Sequence, residues 1–403
     1  MRLSLRAALL AGALVVGSGA ALAETVSLPQ ALAQGAEQSP RISQAKAKAE
    51  AAEARARQAG ALPNPEISLQ AENFGGSGPY RNVRSAETTL EVSQRLELGG
   101  KRGARVAVAG AERDAAVLEY KRARADLERD IRVAYAELRA AEDRATLARD
   151  NVAQARELAR SARLLVEVGR DPPLRKLRAD AVLAEAEAEQ ARTFGELLIA
   201  RRALADLIGS DDPELTAIGF DDDAVPPLLS PNTATIDVQV AAAERDASQA
   251  RIRVAQASAV PDLTATAGVR RFSDGRDTAF VAGISLPIPI RDRNRGGIAA
   301  AGSDSLAAEA ALTQARLDAN RSQHDARMLL GAAEERVSVL SGPNLAQAEE
   351  AVRLARIGYA AGKFSLLDLL DAQGALNTAR HALITARLDR ARALAALVRA
   401  TAQ

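Results

Sequence analysis

In 403 residues, 53 Lys and Arg stand against 52 Asp and Glu, a balance that excludes both the basic footprint of a nucleic-acid binder and a polyanionic surface. Hydrophobic residues reach 47% but aromatics only 2%, with no Trp, so the apolar content is mostly Ala, Leu and Val and suits long helices packed through small side chains. With no Cys and only His324 and His381, both in Ala- and Arg-rich helical stretches, nucleophilic triads and zinc sites have nothing to be built from.

At the start, Arg2 and Arg6 precede an apolar run from Ala8 to Val16 and the small residues Ala21-Leu22-Ala23. This is the pattern of a secretory signal peptide, residues 1–23, cleaved after Ala23. The run is too short for a membrane anchor, and no later segment reaches the roughly 20 apolar residues of a spanning helix. The absence of Cys removes the thiol that a lipid-anchored amino terminus requires.

Beyond Ala23 the chain is written twice. A first repeat, 24–210, opens with a helix over about 28–58, and Pro63-Asn64-Pro65 then starts an alternating stretch with Ile67, Leu69 and Ala71. A Gly-rich loop, Gly75-Gly76-Ser77-Gly78-Pro79, leads to a second stretch with Thr88, Leu90 and Val92 on one face and Glu87, Thr89, Glu91 and Ser93 on the other. Together these predict a β-hairpin over about 64–98. Gly99-Gly100 marks its exit; Gly99-Gly100-Lys101-Arg102 lacks the spacing of a phosphate loop.

The long segment after it carries apolar residues at Leu127, Ile131, Ala134, Leu138, Ala141, Ala145, Ala148, Val152, Ala155, Ala159, Ala162 and Val166. Steps of four and three make a heptad seam, which imposes a left-handed supercoil on whatever packs against it. A helix over 104–168 would be roughly 98 Å long, wider than an ordinary domain. Gly169-Arg170-Asp171-Pro172-Pro173 turns the chain, and a return helix runs over 174–208, closing a helical hairpin of 104–208.

Residues 211–234, rich in Asp and Pro, read as an irregular linker. The second repeat, 235–403, begins with a helix over about 235–257. A β-hairpin over about 262–290 comes after Val260-Pro261-Asp262, with Leu263, Ala265, Ala267 and Val269 on its first strand and Phe280, Ala282, Ile284, Leu286 and Ile288 on its second. Asp274-Gly275 is its turn, and Pro287 and Pro289 should end the strand. Gly296-Gly297 matches Gly99-Gly100 at an offset of 197, as Pro261 matches Pro65 at 196. A helical hairpin of 298–403 completes the copy: one helix to Tyr359, a turn at Ala361-Gly362-Lys363, and a return helix with a seam at Leu369, Ala372, Leu376, Ala379, Leu383 and Ala386.

The strands pose the functional question. An alternating strand is either half of a soluble sheet or a barrel wall with lipid on one side and water on the other. Here no helix pattern offers itself as partner for the apolar face, and an open edge is untenable unless other chains close it.

This layout, over about 24–403, resembles the outer membrane efflux proteins of the TolC family. The turn segment from Gly358-Tyr359 through Gly362-Lys363-Phe364-Ser365 to Asp368 and Asp371 carries the resemblance further. Pro63-Asn64-Pro65 and the exit Leu96-Glu97-Leu98-Gly99-Gly100-Lys101-Arg102 are similar to the branch serving heavy-metal and cation efflux with RND pumps. The resemblance implies a mainly α fold with a small β part. Long antiparallel coiled coils would form a periplasmic α-barrel, and two β-hairpins per chain would enter a trimeric twelve-stranded outer-membrane barrel. It implies a homotrimer in outer-membrane lipid, a periplasmic adaptor, an inner-membrane RND pump, and passive export with no cofactor, no bound metal and no catalysis. Drug efflux or type I protein secretion are the alternatives within that class; a periplasmic coiled-coil scaffold or adaptor is the alternative outside it.

The resemblance also places Asp368 and Asp371 at the periplasmic entrance as two rings of carboxylates. The residues themselves allow a second reading, since Ser365-Leu366-Leu367-Asp368 is a capping box and acids are stabilised in a helix's first turn. Capping does not account for Asp371. In the first copy the equivalent turn carries Arg175 and Arg178, either partners of those acids across a closed entrance or residues of a solvated face. The resemblance implies that the turns of Gly169, Gly362 and Lys363 meet the adaptor, while Gly is also what any helical hairpin uses to turn. Pro63, Pro65, Gly99, Gly100, Pro261, Pro287 and Pro289 mark the barrel-to-tunnel junction. With so few soft ligands, selectivity for a metal would rest in the pump or adaptor.

Overall fold

The computed structural model describes residues 25–220 and 233–403. The leader expected at 1–23, its cleavage after Ala23 and half of the linker, 221–232, lie outside the described residues. In chain order come β1 (Thr25–Val26), α1 (Leu28–Gln38), α2 (Pro40–Ala59), β2 (Glu66–Glu72), β3 (Glu87–Leu96), α3 (Lys101–Glu167) and α4 (Pro173–Ile208). Next are β4 (Thr216–Ala217), α5 (Ile236–Ser258), β5 (Leu263–Phe272), β6 (Thr278–Ser285), α6 (Arg295–Val339), α7 (Leu345–Ala360) and α8 (Leu366–Ala400).

The 67-residue α3 is the spine, and its seam packs as the four-three spacing predicts: Leu127 through Ala162 are buried, and Val166 is half-buried beside the tip. On one face, Leu127, Ile131, Tyr135 and Leu138 pack with α1 and with Leu197, Leu204 and Ile208 of α4. On another, Ala136, Ala140 and Leu147 meet Ile384, Leu388 and Ala391 of α8. The far side of α8 closes on Ala326 and Leu330 of α6 through Leu394 and Leu397. Four long rods thus lie side by side in the order α4, α3, α8, α6, with α2 and α5 continuing the wall toward the sheet.

Two expected helices are broken, both by proline. The helix over 28–58 is two, because the residue before Pro40 is forced out of the helical region and Ser39 sits at φ −67°, ψ 125°. The helix from 298 to Tyr359 is interrupted by a five-residue π-turn, Leu340–Asn344. There Pro343 has no N–H to give and Gly342 leaves helical geometry at φ −94°, ψ −110°.

The linker is not irregular throughout. Its β4 pairs in parallel with β1, Thr25 opposite Thr216 and Val26 opposite Ala217. Tyr135, fully buried on α3, holds this ribbon. Its hydroxyl lies 2.8 Å from the Ile218 carbonyl and 3.1 Å from that of Val26, and accepts from Ile218 N at 2.8 Å.

At the end of α8, Arg399 clamps three helices. Its guanidinium reaches Asp237 of α5 through two bonds of 2.8 and 2.9 Å and Asp126 of α3 at 2.5 Å. The hydrogen bonds from Arg399 hold the Asp237 carboxyl below its usual range, against the opposing effect of burial. A carboxyl lowered by folding stabilises fully above its unfolded value, about 3.9, and loses that contribution as pH falls through the folded value. Arg399→Met is therefore expected to cost about 1–2 kcal/mol at neutral pH, less than a fully buried pair because the Asp237 side chain is 43% exposed. The gap between wild type and variant should shrink below about pH 4 when thermal midpoints are followed in detergent.

Candidate functional site

The four longer strands form one antiparallel sheet in the order β2, β3, β5, β6. Its register brings Ile67 opposite Val92, Leu69 opposite Leu90, Leu90 opposite Val269, and Val269 opposite Phe280. Period-two alternation places all of these on one face with Ala71, Ala265, Ala267, Ala282 and Ile284. That face is bare: Ile67 is 75% exposed, Leu69 72%, Ile284 76% and Phe280 91%. The opposite face is polar, and on it Arg270 reaches Glu87 at 3.1 Å, Glu72 at 3.5 Å and the Thr89 hydroxyl at 3.0 Å. The outer edges of β2 and β6 have no strand beside them among the described residues.

Both hairpin loops lie at one end of this sheet, where Ser273 N donates to Ala86 O at 2.9 Å. Aromatic residues gather toward it. Phe74, Tyr80, Phe272 and Phe280 make four of the chain's ten Phe and Tyr in two short hairpins, as at the rim of a membrane barrel. The amino-acid order hides this gathering, because the aromatics are scattered singly along the chain.

The other end joins the helices. Lys101 Nζ binds Asp262 Oδ1 at 2.7 Å, tying the first copy to the second, and Gln94 Nε2 donates to the Pro63 carbonyl at 3.0 Å. Pro65 and Pro261 lie just before β2 and β5. Gly99 and Gly100 both take left-handed φ, 69° and 71°, and a Cβ on Gly99 would lie 2.7 Å from that of Val260. The matching Gly296-Gly297 is not their equivalent: it falls inside α6, and Asn294, at φ 51°, makes the turn instead. The last strand ends at Ser285, short of the expected Leu286 and Ile288, because Pro287 and Pro289 cannot donate to a ladder.

At the far end of the coiled coil the two helical hairpins turn side by side. Gly169 and Gly362 make the turns with φ of 73° and 71°, and Arg356 of α7 reaches Gln154 of α3 at 3.0 Å. Lys363 comes next, exposed, its N–H donating to the Gly358 carbonyl at 2.8 Å. The Phe364 ring covers Gly358 so closely that a Cβ there would lie 2.2 Å from Cδ2.

Asp368 is engaged as a cap. Its Oδ2 accepts from the Ser365 hydroxyl and N–H, both at 2.7 Å, and these bonds hold its carboxyl below the usual range. Asp371, one turn on, is exposed and has no ion-pair partner among the described residues. Arg175 turns to Asp171 of its own hairpin at 2.5 Å, and Arg178 lies exposed. Within one chain, then, neither Arg meets an Asp of the other tip. His324 is exposed and His381 half-buried, and no group of three His, Cys, Asp or Glu among the described residues could hold a metal. No described helix is long and apolar enough to cross a membrane.

The family profile described as "Outer membrane efflux protein" matches residues 31–210 and 235–403. The chain belongs to the outer membrane efflux protein family. Curated relatives include the nickel-cobalt-cadmium resistance protein NccC of Alcaligenes xylosoxydans xylosoxydans, 35% identical over 307 residues that cover 75% of this chain and 69% of the relative. The cobalt-zinc-cadmium resistance protein CzcC of Cupriavidus metallidurans is 31% identical over 334 residues, covering 80% and 77%. Among solved structures, the efflux protein is similar to CusC (TM-score 0.79, 20% identity, 93% of this chain and 92% of that one). It is also similar to the Campylobacter jejuni CmeC outer membrane channel (TM-score 0.80, 15% identity, 93% and 85%). The fold of this efflux protein is that of TolC-like channels, and its place is the outer-membrane channel of a tripartite efflux system.

Proposed function

We propose that three copies of this efflux protein close a single duct, the β2 edge of each pairing with the β6 edge of the next. Three sheets of four strands make a twelve-stranded barrel, wide enough for an open lumen because eight strands are already filled by side chains. The observation that carries this reading is the isolated sheet itself, bare on its apolar face and open at both edges, a state untenable in water and resolved by closure in lipid. The two repeats, 24–210 and 235–403 about the segment 211–234, then contribute equal shares of the wall. Their helices enclose a periplasmic tunnel, and α3 alone, at roughly 100 Å, crosses much of the periplasm.

The cargo is metal cations, a reading supported by the nickel, cobalt, zinc and cadmium resistance relatives. The chain passes them on and does not hold them; an RND pump and a periplasmic adaptor, docking at the turns of Gly169, Gly362 and Lys363, would deliver them. At this entrance Asp371 acts as the selecting carboxylate, because it is exposed and unengaged while Asp368 is committed to its capping box.

Single-channel recording in planar bilayers tests this assignment. Wild type should open with a preference for cations, and Asp371→Asn should lower that preference by roughly two- to fivefold, a ring of three charges being lost at the narrowest point. Asp368→Asn should change it less. Equal effects of the two variants would place both acids in the gate, and no effect of Asp371→Asn would return that residue to a solvated helix face.

A further inference from the structure

Two successive arginines on β5 are treated in opposite ways. Arg270 faces the polar side and is matched by Glu72, Glu87 and Thr89. Arg271 falls on the apolar face, opposite Thr88 on β3 and Thr278 on β6, in line with Val269 and Leu90. It is exposed and has no ion-pair partner among the described residues.

An unmatched cation on the lipid side of a barrel strand is costly at the bilayer midplane and tolerated only near the interface. Arg271 sits one residue from the end of β5, at the loop end of the sheet, away from the helices and therefore at the outer rim of a barrel. The longer loop there adds cations: residues 73–86 hold Arg81 and Arg84 and no acid, whereas Arg276 of the 273–277 turn is outweighed by Asp274 and Asp277. Phosphate suits such a place, since a guanidinium offers it two parallel donors and the Thr88 and Thr278 hydroxyls supply more.

We propose that Arg271, flanked by Thr88 and Thr278 and supported by the field of Arg81 and Arg84, holds a phosphate of the glycolipid that forms the outer leaflet. This rests on the barrel reading above. The site would anchor the rim at a fixed depth, one lipid per protomer, with the acyl chains lying along Val269 and Phe280.

Full-length protein in nonionic detergent, titrated with bis-phosphorylated lipid A and read by native mass spectrometry, tests it. Wild type should retain this lipid about tenfold more tightly than its dephosphorylated form, the worth of one charge-assisted pair. Arg271→Gln should abolish most of that difference, and inorganic phosphate at matched concentration should not compete. Equal retention by the variant, or equal binding of the dephosphorylated lipid, overturns the site, and full displacement by inorganic phosphate overturns the lipid assignment. Bilayer recordings on the same preparations separate the two failures: normal openings with unchanged lipid binding sink the rim site alone, whereas wild-type protein that never opens sinks the barrel and the rim site with it.

Discussion

Leu69→Arg is expected to prevent assembly in the outer membrane, while Ser68→Arg, one residue away, leaves it intact. Leu69 lies mid-strand on the bare apolar face of β2, and Ser68 lies on the polar face opposite Glu91. In a barrel, an arginine on the lipid side near the midplane costs about 2–4 kcal/mol per copy, and three copies would remove most of a domain's net stability. On the lumen side the same residue meets water and a carboxylate. Were the sheet to remain uncovered in water on a single chain, the contrast would vanish: Leu69 is 72% exposed there, and an exposed substitution is usually within about 0.5 kcal/mol. The fraction of each variant recovered as a membrane-extracted oligomer reads the difference directly.

The second large effect is expected at Tyr135, remote from both the sheet and the tips. Tyr135→Ala should cost about 3–5 kcal/mol, because a fully buried ring leaves a cavity in the cluster of Ile131, Leu138 and Leu204. Tyr135→Phe keeps the ring and loses the hydroxyl that joins Val26 and Ile218, at a cost of about 1–2 kcal/mol. Both variants should release the β1–β4 ribbon. Limited proteolysis should therefore cut near 211–220 faster in both, with the thermal midpoint falling much further for Ala than for Phe. A midpoint unchanged by Tyr135→Ala would contradict the role given to this residue.

Much of this architecture is visible in the amino-acid order because it is periodic. The seam from Leu127 to Ala162 repeats with the coiled coil it builds, and the alternation from Thr88 to Ser93 states which face is apolar. Periodicity is local, however, and the pairing of β3 with β5 joins segments more than 160 residues apart, as does the clamp of Arg399 on Asp237. The seam also hid two prolines: Pro40 and Pro343 break helices whose Ala-rich patterns continue on either side. Gly296-Gly297 misled in the opposite way, because a matching dipeptide suggested a matching turn that Asn294 makes instead. At the tip of the second helical hairpin, the cap of Asp368 was legible in Ser365, three residues earlier. The engagement of Arg175 by Asp171 was legible as an i to i+4 pair, but the adjacency of the two tips was not.

The proposed closure of the duct requires three copies to join β2 to β6, and the chain's lack of cysteine makes that joint directly testable. One cysteine at Ser68 on β2, combined in turn with one at Ala279, Val281 or Gly283 on β6, samples the possible registers on the polar face. Paired strands bring opposed residues to about 4.5–5.5 Å between Cα atoms, within disulfide range. Oxidation of the protein in outer membranes should give a ladder ending at a covalent trimer for at least one of these combinations, reversed by reductant. Monomer alone in every combination, from protein that is folded and present in the membrane, would contradict the closed twelve-stranded barrel.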